Sequence, residues 1–322
     1  MPEKSLVSVI ILNLNGRHLL KDCLDSLAGQ SYGRIETILV DNGSSDGSVE
    51  LVRSGYPGVR VLVNPLNLGY TLAANQGIRA SRGEFVVVLN NDTKAAPDWI
   101  EKLADAAASD PRIGICASKQ MNFFEPGKFD SAGIQLFRGG YARDRGRGEE
   151  DRGQYDRSER IFGAPGASAF YRRSMLDEIG LFDEDYFAYC EEFDLSFRAM
   201  LYGWACVYVP AAVVYHKSGA TRASRDERFL VYYVERNRLF TIIKNYPVRL
   251  FLYCLPYLMK YELDILRRLV FRLEKEVLLA RLAALCLMPK MLVKRRLIQR
   301  NRKVPVWGLS RFITGKEGAV AK

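Results

Sequence analysis

A chain of 322 residues, 48% hydrophobic and 26% charged, has the composition of a folded protein with one large domain, or one domain and an appendage, and not of a disordered one. Its six cysteines lack any C-x-x-C pair, which argues against a zinc site or disulfide framework, and no run of about 18 or more apolar residues offers a clean membrane span. The net charge of +10 is uneven: residues 247–322 hold 17 Lys/Arg against 5 Asp/Glu, so the basic character belongs to the C-terminal tail.

Met1-Pro2-Glu3-Lys4-Ser5 has no signal-peptide core, and the scattered thiols suit a reducing cytosol. Val7 to Leu12 predicts a buried strand ending at Asn13-Leu14-Asn15-Gly16. Leu19, Leu20, Cys23, Leu24 and Leu27 then recur at helical spacing, with His18 exposed at the start of that helix. Ile35 to Val40 is a second strand, running into Asp41-Asn42-Gly43-Ser44-Ser45-Asp46-Gly47-Ser48, which is dense in turn formers and caps a helix from about Ser48. Val59 to Val63 is a third strand, followed by Asn67-Leu68-Gly69-Tyr70 and a small-residue helix over Leu72 to Ile78. Phe85 to Leu89 is apolar throughout, as a strand buried on both faces must be, and stops on Asn90-Asn91-Asp92.

This alternation predicts an α/β fold with a mainly parallel sheet, whose ligands bind beyond the carboxyl ends of the strands. Asp41 and Asp92 then fall on one rim. Asp41 can accept a hydrogen bond from a nucleobase or ribose, or simply belong to a turn. Asp92 can hold a divalent metal and through it a diphosphate, or cap the next helix in an Asx turn.

Taken in order, Asp41-Asn42-Gly43-Ser44-Ser45-Asp46-Gly47, Asn67-Leu68-Gly69-Tyr70 and Leu89-Asn90-Asn91-Asp92 resemble a family 2 glycosyltransferase of the GT-A fold. The resemblance implies a donor site drawing on Asn13, Asn15, Asp41, Asn67, Gly69 and Asn91, with Asp41 at the base and Asp92 on a Mg²⁺ or Mn²⁺ ion. This chain departs from a D-x-D motif at Asn90, which leaves Asp92 as the one charged ligand carried over.

Residues 137–160, rich in Gly, Arg, Asp and Glu, read as a long mobile loop. Ile161 to Arg173 returns to a strand whose small residues at Gly163, Ala164 and Gly166 leave room for a sugar. Glu191-Glu192-Phe193-Asp194-Leu195 carries the second strong resemblance, an acidic pair followed by x-Asp-Leu. It implies that Glu192 is the catalytic base, at a position where the family more often has Asp. Asp194 and Arg198, four apart, read as a structural pair on a solvated helix face. Trp204 to Val214 is another strand, and His216, 24 residues beyond Glu192, falls where the family places a metal-binding histidine; on the residues alone a lone histidine is more often structural than a ligand.

Residues 1–225 are therefore read as the catalytic domain and 226–322 as a basic helical region. Apolar blocks alternate there with Lys/Arg clusters, which suits helices lying in an anionic membrane surface or a helical subdomain packed on the catalytic part. No nucleic-acid fold motif accompanies the basic tail, so nucleic acid is not expected as a partner. The combined expectation is an inverting glycosyltransferase using a nucleotide-diphosphate sugar, with dTDP or UDP as carrier and a lipid-linked saccharide acceptor, peripheral at the cytoplasmic face of the membrane and resembling bacterial rhamnosyltransferase-type enzymes of surface polysaccharide synthesis. The alternatives are a nucleotidyltransferase on a related fold, which needs no Glu192, and a non-catalytic nucleotide-sugar-binding protein, to which the Asn90 departure points.

Overall fold

The computed structural model describes residues 4–218, 227–272, 274–305 and 307–314. Its first half follows the expected alternation: β1 (Val7–Asn13), α1 (Arg17–Ala28), β2 (Ile35–Asp41), α2 (Ser48–Gly55), β3 (Val59–Val63), α3 (Tyr70–Ala80) and β4 (Phe85–Asn90). These four strands are mutually parallel in the order β4-β1-β2-β3. Successive side chains of a strand point to opposite faces, so β1 and β4 feed two separate cores. Ile10, Val86 and Val88 pack with Ala73, Ala74 and Ile78 of α3 in one layer. Val9, Ile11, Val87 and Leu89 pack with Leu20, Cys23 and Leu24 of α1 in the other.

The chain continues through β5 (Thr93–Ala95), α4 (Trp99–Ser109), β6 (Ile113–Asn122), β7 (Phe129–Ser131), β8 (Ile134–Phe137), β9 (Ala142–Asp144), β10 (Glu159–Ile161), β11 (Ser168–Arg172), α5 (Arg173–Ile179), α6 (Glu191–Leu201) and β12 (Ala205–His216). The sheet extends as β10-β12-β6-β11-β4-β1-β2-β3, with β11 antiparallel between β4 and β6. β5 pairs with the end of β12, opposing Thr93 to His216.

Two expectations are corrected. Residues 137–160 are not a free loop: Arg145 and Gly148 donate through their backbone to Gly133 and Phe129, and the Asp151 amide to Gly127, so the segment folds back along residues 127–134. Its glycines serve turns within that return rather than mobility. Asp194 and Arg198 do pair, at 2.9 Å, but both are buried rather than solvated. The Arg198 guanidinium also donates to the carbonyls of Ile179, Gly180 and Leu181, fastening the α5–α6 connection.

The C-terminal part forms α7 (Glu227–Asn245), α8 (Val248–Arg272), α9 (Lys275–Arg300), the short α10 (Trp307–Ser310) and β13 (Ile313–Thr314), which pairs with β8. Pro256 and Pro289 lie inside α8 and α9 rather than ending them. The boundary read at 225/226 lies outside the described residues. Lys244 of α7 is 1% exposed, between Asp183 at 2.5 Å and Asp194 at 2.8 Å. Among the described residues no helix is long and apolar enough to cross a membrane. Five cysteines are buried, and Cys286 on α9 is exposed.

Removing one partner from a buried ion pair leaves an uncompensated charge, typically a loss of about 3–5 kcal/mol. Lys244→Met is expected to lower stability by about that amount, read by denaturant unfolding at neutral pH. Burial pushes the Asp183 carboxyl up, but Lys244 and Lys294 outweigh it and hold the group below the usual carboxylate range. Its contribution is therefore present above the unfolded value of about 3.9 and lost as pH falls below it. The stability gap between wild type and Lys244→Met should accordingly narrow on acidification.

Candidate active site

The register of the parallel strands sets the rim: Asn13 of β1 lies opposite Asp41 of β2, and Leu12 opposite Asn90 of β4. Asp41, fully buried, accepts from Asn13 Nδ2 at 2.9 Å and from the Ser44 amide. With its nitrogen so engaged, Asn13 turns its oxygen to Asn91 Nδ2 at 2.6 Å. A Cβ on Gly16 would sit 2.0 Å from that Asn91 nitrogen, so the turn after β1 must be glycine. Beside it, Asn67 accepts from Asn42 and from the Gly69 amide, fixing the turn before α3. Gly69 has φ +86°, and a side chain there would also strike the Phe187 ring.

These strand ends open on a cavity of about 560 Å³, within the range of small-molecule sites. Asn13, Asn67, Gly69, Asn91, Asp92, Glu192 and His216 all line it. Asp41 and Asn15 do not: Asp41 lies under the rim orienting Asn13, and Asn15 is exposed, its side chain accepting from the Ser45 amide.

The β5–β12 pairing joins residues far apart in sequence. His216 Nε2 lies 3.2 Å from Asp92 Oδ1, and its Nδ1 lies 2.7 Å from Asp130 Oδ2. Ser218 donates to the other Asp130 oxygen. Burial opposes a charge on His216, but the hydrogen bonds and charges of Asp130 and Asp92 outweigh it and raise its pKa to about 9. The donor chemistry fits a hard divalent cation: a carboxylate and an imidazole whose far nitrogen is anchored by a second carboxylate. Among the described residues no three His, Cys, Asp or Glu side chains form a ligand set by themselves. An ion held by Asp92 and His216 would thus keep positions for phosphate oxygens and water, as Mg²⁺ sites usually do, and would displace the proton from Nε2.

Glu191 and Glu192 open α6, Glu191 buried and Glu192 half-buried. Glu192 Oε2 is sealed from solvent and has no hydrogen-bond partner. Burial, then the charge of Glu191, push the Glu192 carboxyl well above its ordinary range. The approach to α6 is strained, with Phe187, Tyr189 and Cys190 at φ +63°, +68° and +64°. Non-glycine residues pay of order 1–3 kcal/mol for such backbone and keep it only where surroundings impose it. Phe187 and Tyr189 put aromatic rings on the cavity wall, joined there by Phe229 of α7.

Several lining residues escaped the sequence reading. Asp130 lies on β7, Asp144 and Arg147 on the segment that folds back along it, and nothing in their local pattern marks them. Asn42 was inside the turn-forming stretch and could have been found as a polar residue next to Asp41. Glu191 was visible as half of the acidic pair.

The family described as Glycosyl transferase family 2 matches residues 8–180. N-acetylglucosaminyl-diphospho-decaprenol L-rhamnosyltransferase of Mycobacterium tuberculosis is 34% identical over 230 residues, covering 64% of this chain and 74% of that protein. Among solved structures, a mannosyltransferase from Pyrobaculum calidifontis in complex with GDP-Man and Mn²⁺ aligns with TM-score 0.56 and 18% identity over 92% of this chain and 86% of its own. GalNAc-T7 with UDP, GalNAc and Mn²⁺ aligns with TM-score 0.61 and 16% identity, covering 76% of this chain and 48% of that one.

Asp130→Asn removes one of the two anions facing His216, so the imidazole pKa, followed by NMR titration, is expected to fall from about 9. The raised value also has a stability consequence. The stabilisation is fully present below the unfolded value of 6.5 and is lost as pH rises through about 9. Asp130→Asn should flatten that alkaline loss.

Proposed function

The chain belongs to glycosyl transferase family 2, a glycosyltransferase with the GT-A fold, and on that premise we propose that it transfers a sugar from a nucleotide-diphosphate donor, carried by dTDP or UDP, to a lipid-linked saccharide with inversion at the anomeric carbon. The observation that carries this reading is Glu192: a carboxyl with one oxygen sealed from solvent and unpartnered, in the cavity that also holds Asp92 and His216. In a direct displacement the acceptor hydroxyl gives its proton to Glu192 while its oxygen bonds to the anomeric carbon. The bond from that carbon to the diphosphate oxygen breaks on the opposite face. A raised pKa makes Glu192 a stronger base once ionised, matched to a weakly acidic hydroxyl. Asp92 and His216 would hold the divalent cation, which neutralises charge on the departing diphosphate. Asn13, Asn42, Asn67 and Asn91 orient the donor with neutral amides that add no repulsion to its phosphates.

The mycobacterial relative's name gives a decaprenol-diphosphate-linked acceptor and an L-rhamnosyl donor group; it supports a lipid-linked acceptor here. The tail offers a surface suited to that acceptor's location, the inner face of the cytoplasmic membrane. Leu252, Met259 and Leu266 on α8 and Leu278, Leu285 and Leu292 on α9 are exposed at seven-residue intervals, in the region that carries the basic excess. Amphipathic helices of this kind bind anionic bilayers by shallow burial plus charge attraction.

Purified protein should release nucleoside diphosphate from one member of a panel of UDP-, dTDP- and GDP-sugars in the presence of acceptor. Release with no dependence on acceptor or on Glu192 would point to adventitious hydrolysis, formation of sugar 1-phosphate in place of nucleoside diphosphate to nucleotidyl chemistry, and binding without release to the non-catalytic reading that Asn90 favours. Glu192→Gln should lower turnover by at least ~10²-fold with donor affinity kept. The acidic limb of kcat/KM should lie above the ordinary glutamate value of about 4.3. Asp92→Ala and His216→Ala should each weaken the enhancement of nucleoside-diphosphate binding by Mn²⁺, measured by calorimetry. The full chain should sediment with anionic vesicles at low salt and not with neutral ones, and Leu266→Glu with Leu285→Glu should abolish this.

A further inference from the structure

Glu192 Oε2 has no hydrogen-bond partner, and among the described residues no other side chain bonds this carboxyl. What places the carboxyl is therefore the path by which the chain enters α6. That path runs through Phe187, Tyr189 and Cys190, all in the left-handed region, with Cys190 immediately before the helix. A segment of this kind relaxes unless something outside it holds the carbonyls where they are.

The outside element is α7. Asn237 has no solvent exposure, and the two hydrogens of its Nδ2 are shared among the carbonyl oxygens of Tyr186 at 2.9 Å, Ala188 at 2.8 Å and Tyr189 at 2.8 Å. Arg236 Nη2 donates to the carbonyls of Asp185 at 2.8 Å and Tyr186 at 3.0 Å. The two side chains are locked to each other, since Arg236 Nε donates to Asn237 Oδ1 at 3.0 Å. That bond fixes which end of the amide faces the loop: the oxygen is taken by the guanidinium, so the nitrogen must point at the three carbonyls. The guanidinium is itself sandwiched by aromatic rings, 4.7 Å from the centroid of Tyr233 and 5.1 Å from that of Phe240. Helix, guanidinium, amide and loop are thus joined by one set of hydrogen bonds.

We infer that Asn237, oriented by Arg236, is a positioning residue for the catalytic base, holding the strained 186–189 backbone so that α6 presents Glu192 to the acceptor hydroxyl. This rests on Glu192 being the base. A carboxylate at 237 would face three carbonyl oxygens with no proton to give, and an alanine would take this donor from all three. In either case the loop loses the restraint that opposes its relaxation. Arg236→Lys keeps the positive charge but not the fork that bonds the amide and the loop together.

A double-mutant cycle on the full chain separates positioning from general support of the fold. Turnover at saturating donor and acceptor is measured for wild type, Asn237→Ala, Glu192→Gln and the double variant, with cooperative thermal unfolding confirming that each is folded. Asn237→Ala alone is expected to lose at least ~10-fold in kcat, while in the Glu192→Gln background the same change loses less than about twofold, because the base it positions is gone. Equal losses in both backgrounds, or no loss in either, would overturn the inference. Should Asn237→Ala fail to unfold cooperatively, Arg236→Lys takes its place in the same cycle with the same two outcomes. Full activity of Glu192→Gln by itself would instead overturn the assignment of the base, a result distinct from an additive cycle.

Discussion

Everything at the cavity depends on the register of three parallel strands. Side chains alternate along a strand, so a one-residue slip of β1 against β2 or β4 would send Asn13 to the other face and exchange the two cores. In the native register Asn13 lies opposite Asp41, and a single buried carboxylate then orients an amide chain from Asp41 through Asn13 to Asn91. The apolar residues upstream hold that register: Val9 and Ile11 are committed to one layer and Ile10 to the other. The chemistry at the rim is thus specified by hydrophobic side chains that never touch a ligand.

A second constraint closes the site from the opposite direction. β12 is long enough to pair with β6 along the sheet and still reach β5, and this brings His216 to Asp92. Asp130, from the short strand β7 beside β6, completes the line of carboxylate, imidazole and carboxylate. The acidic helix start arrives from a third quarter, on a backbone strained so that two aromatic side chains can face the cavity.

The sequence disclosed most clearly what is encoded locally. β1 to β4 and the helices between them carry unbroken apolar runs and helical spacing, and their polar ends mark the rim. Glu192 and His216 were legible through motif spacing. Asp130 and Asp144 were not, because a carboxylate in a turn-rich segment looks the same whether it faces solvent or a histidine 86 residues away. The Asp194–Arg198 pair misled for a related reason: four-residue spacing says the two meet but not that they are buried, and burial came from Lys244 and the α5–α6 carbonyls. Arg236 and Asn237 were concealed in the same way, as polar residues at the start of a region read as membrane-surface helices or a packed helical subdomain.

Cys286 turns this burial pattern into a practical handle. Burial raises the thiol pKa of Cys23 and Cys116 to about 12 and of Cys254 to about 11, and puts those of Cys190 and Cys206 higher than the usual range as well, so all five are kept from the thiolate state and from reagent. Cys286 stands exposed on α9, one residue beyond the exposed Leu285. An environment-sensitive fluorophore joined by a maleimide should therefore mark the native chain at one point, with no cysteine removed. The colour of its emission would report directly whether the outer side of α9 is bathed in water or covered.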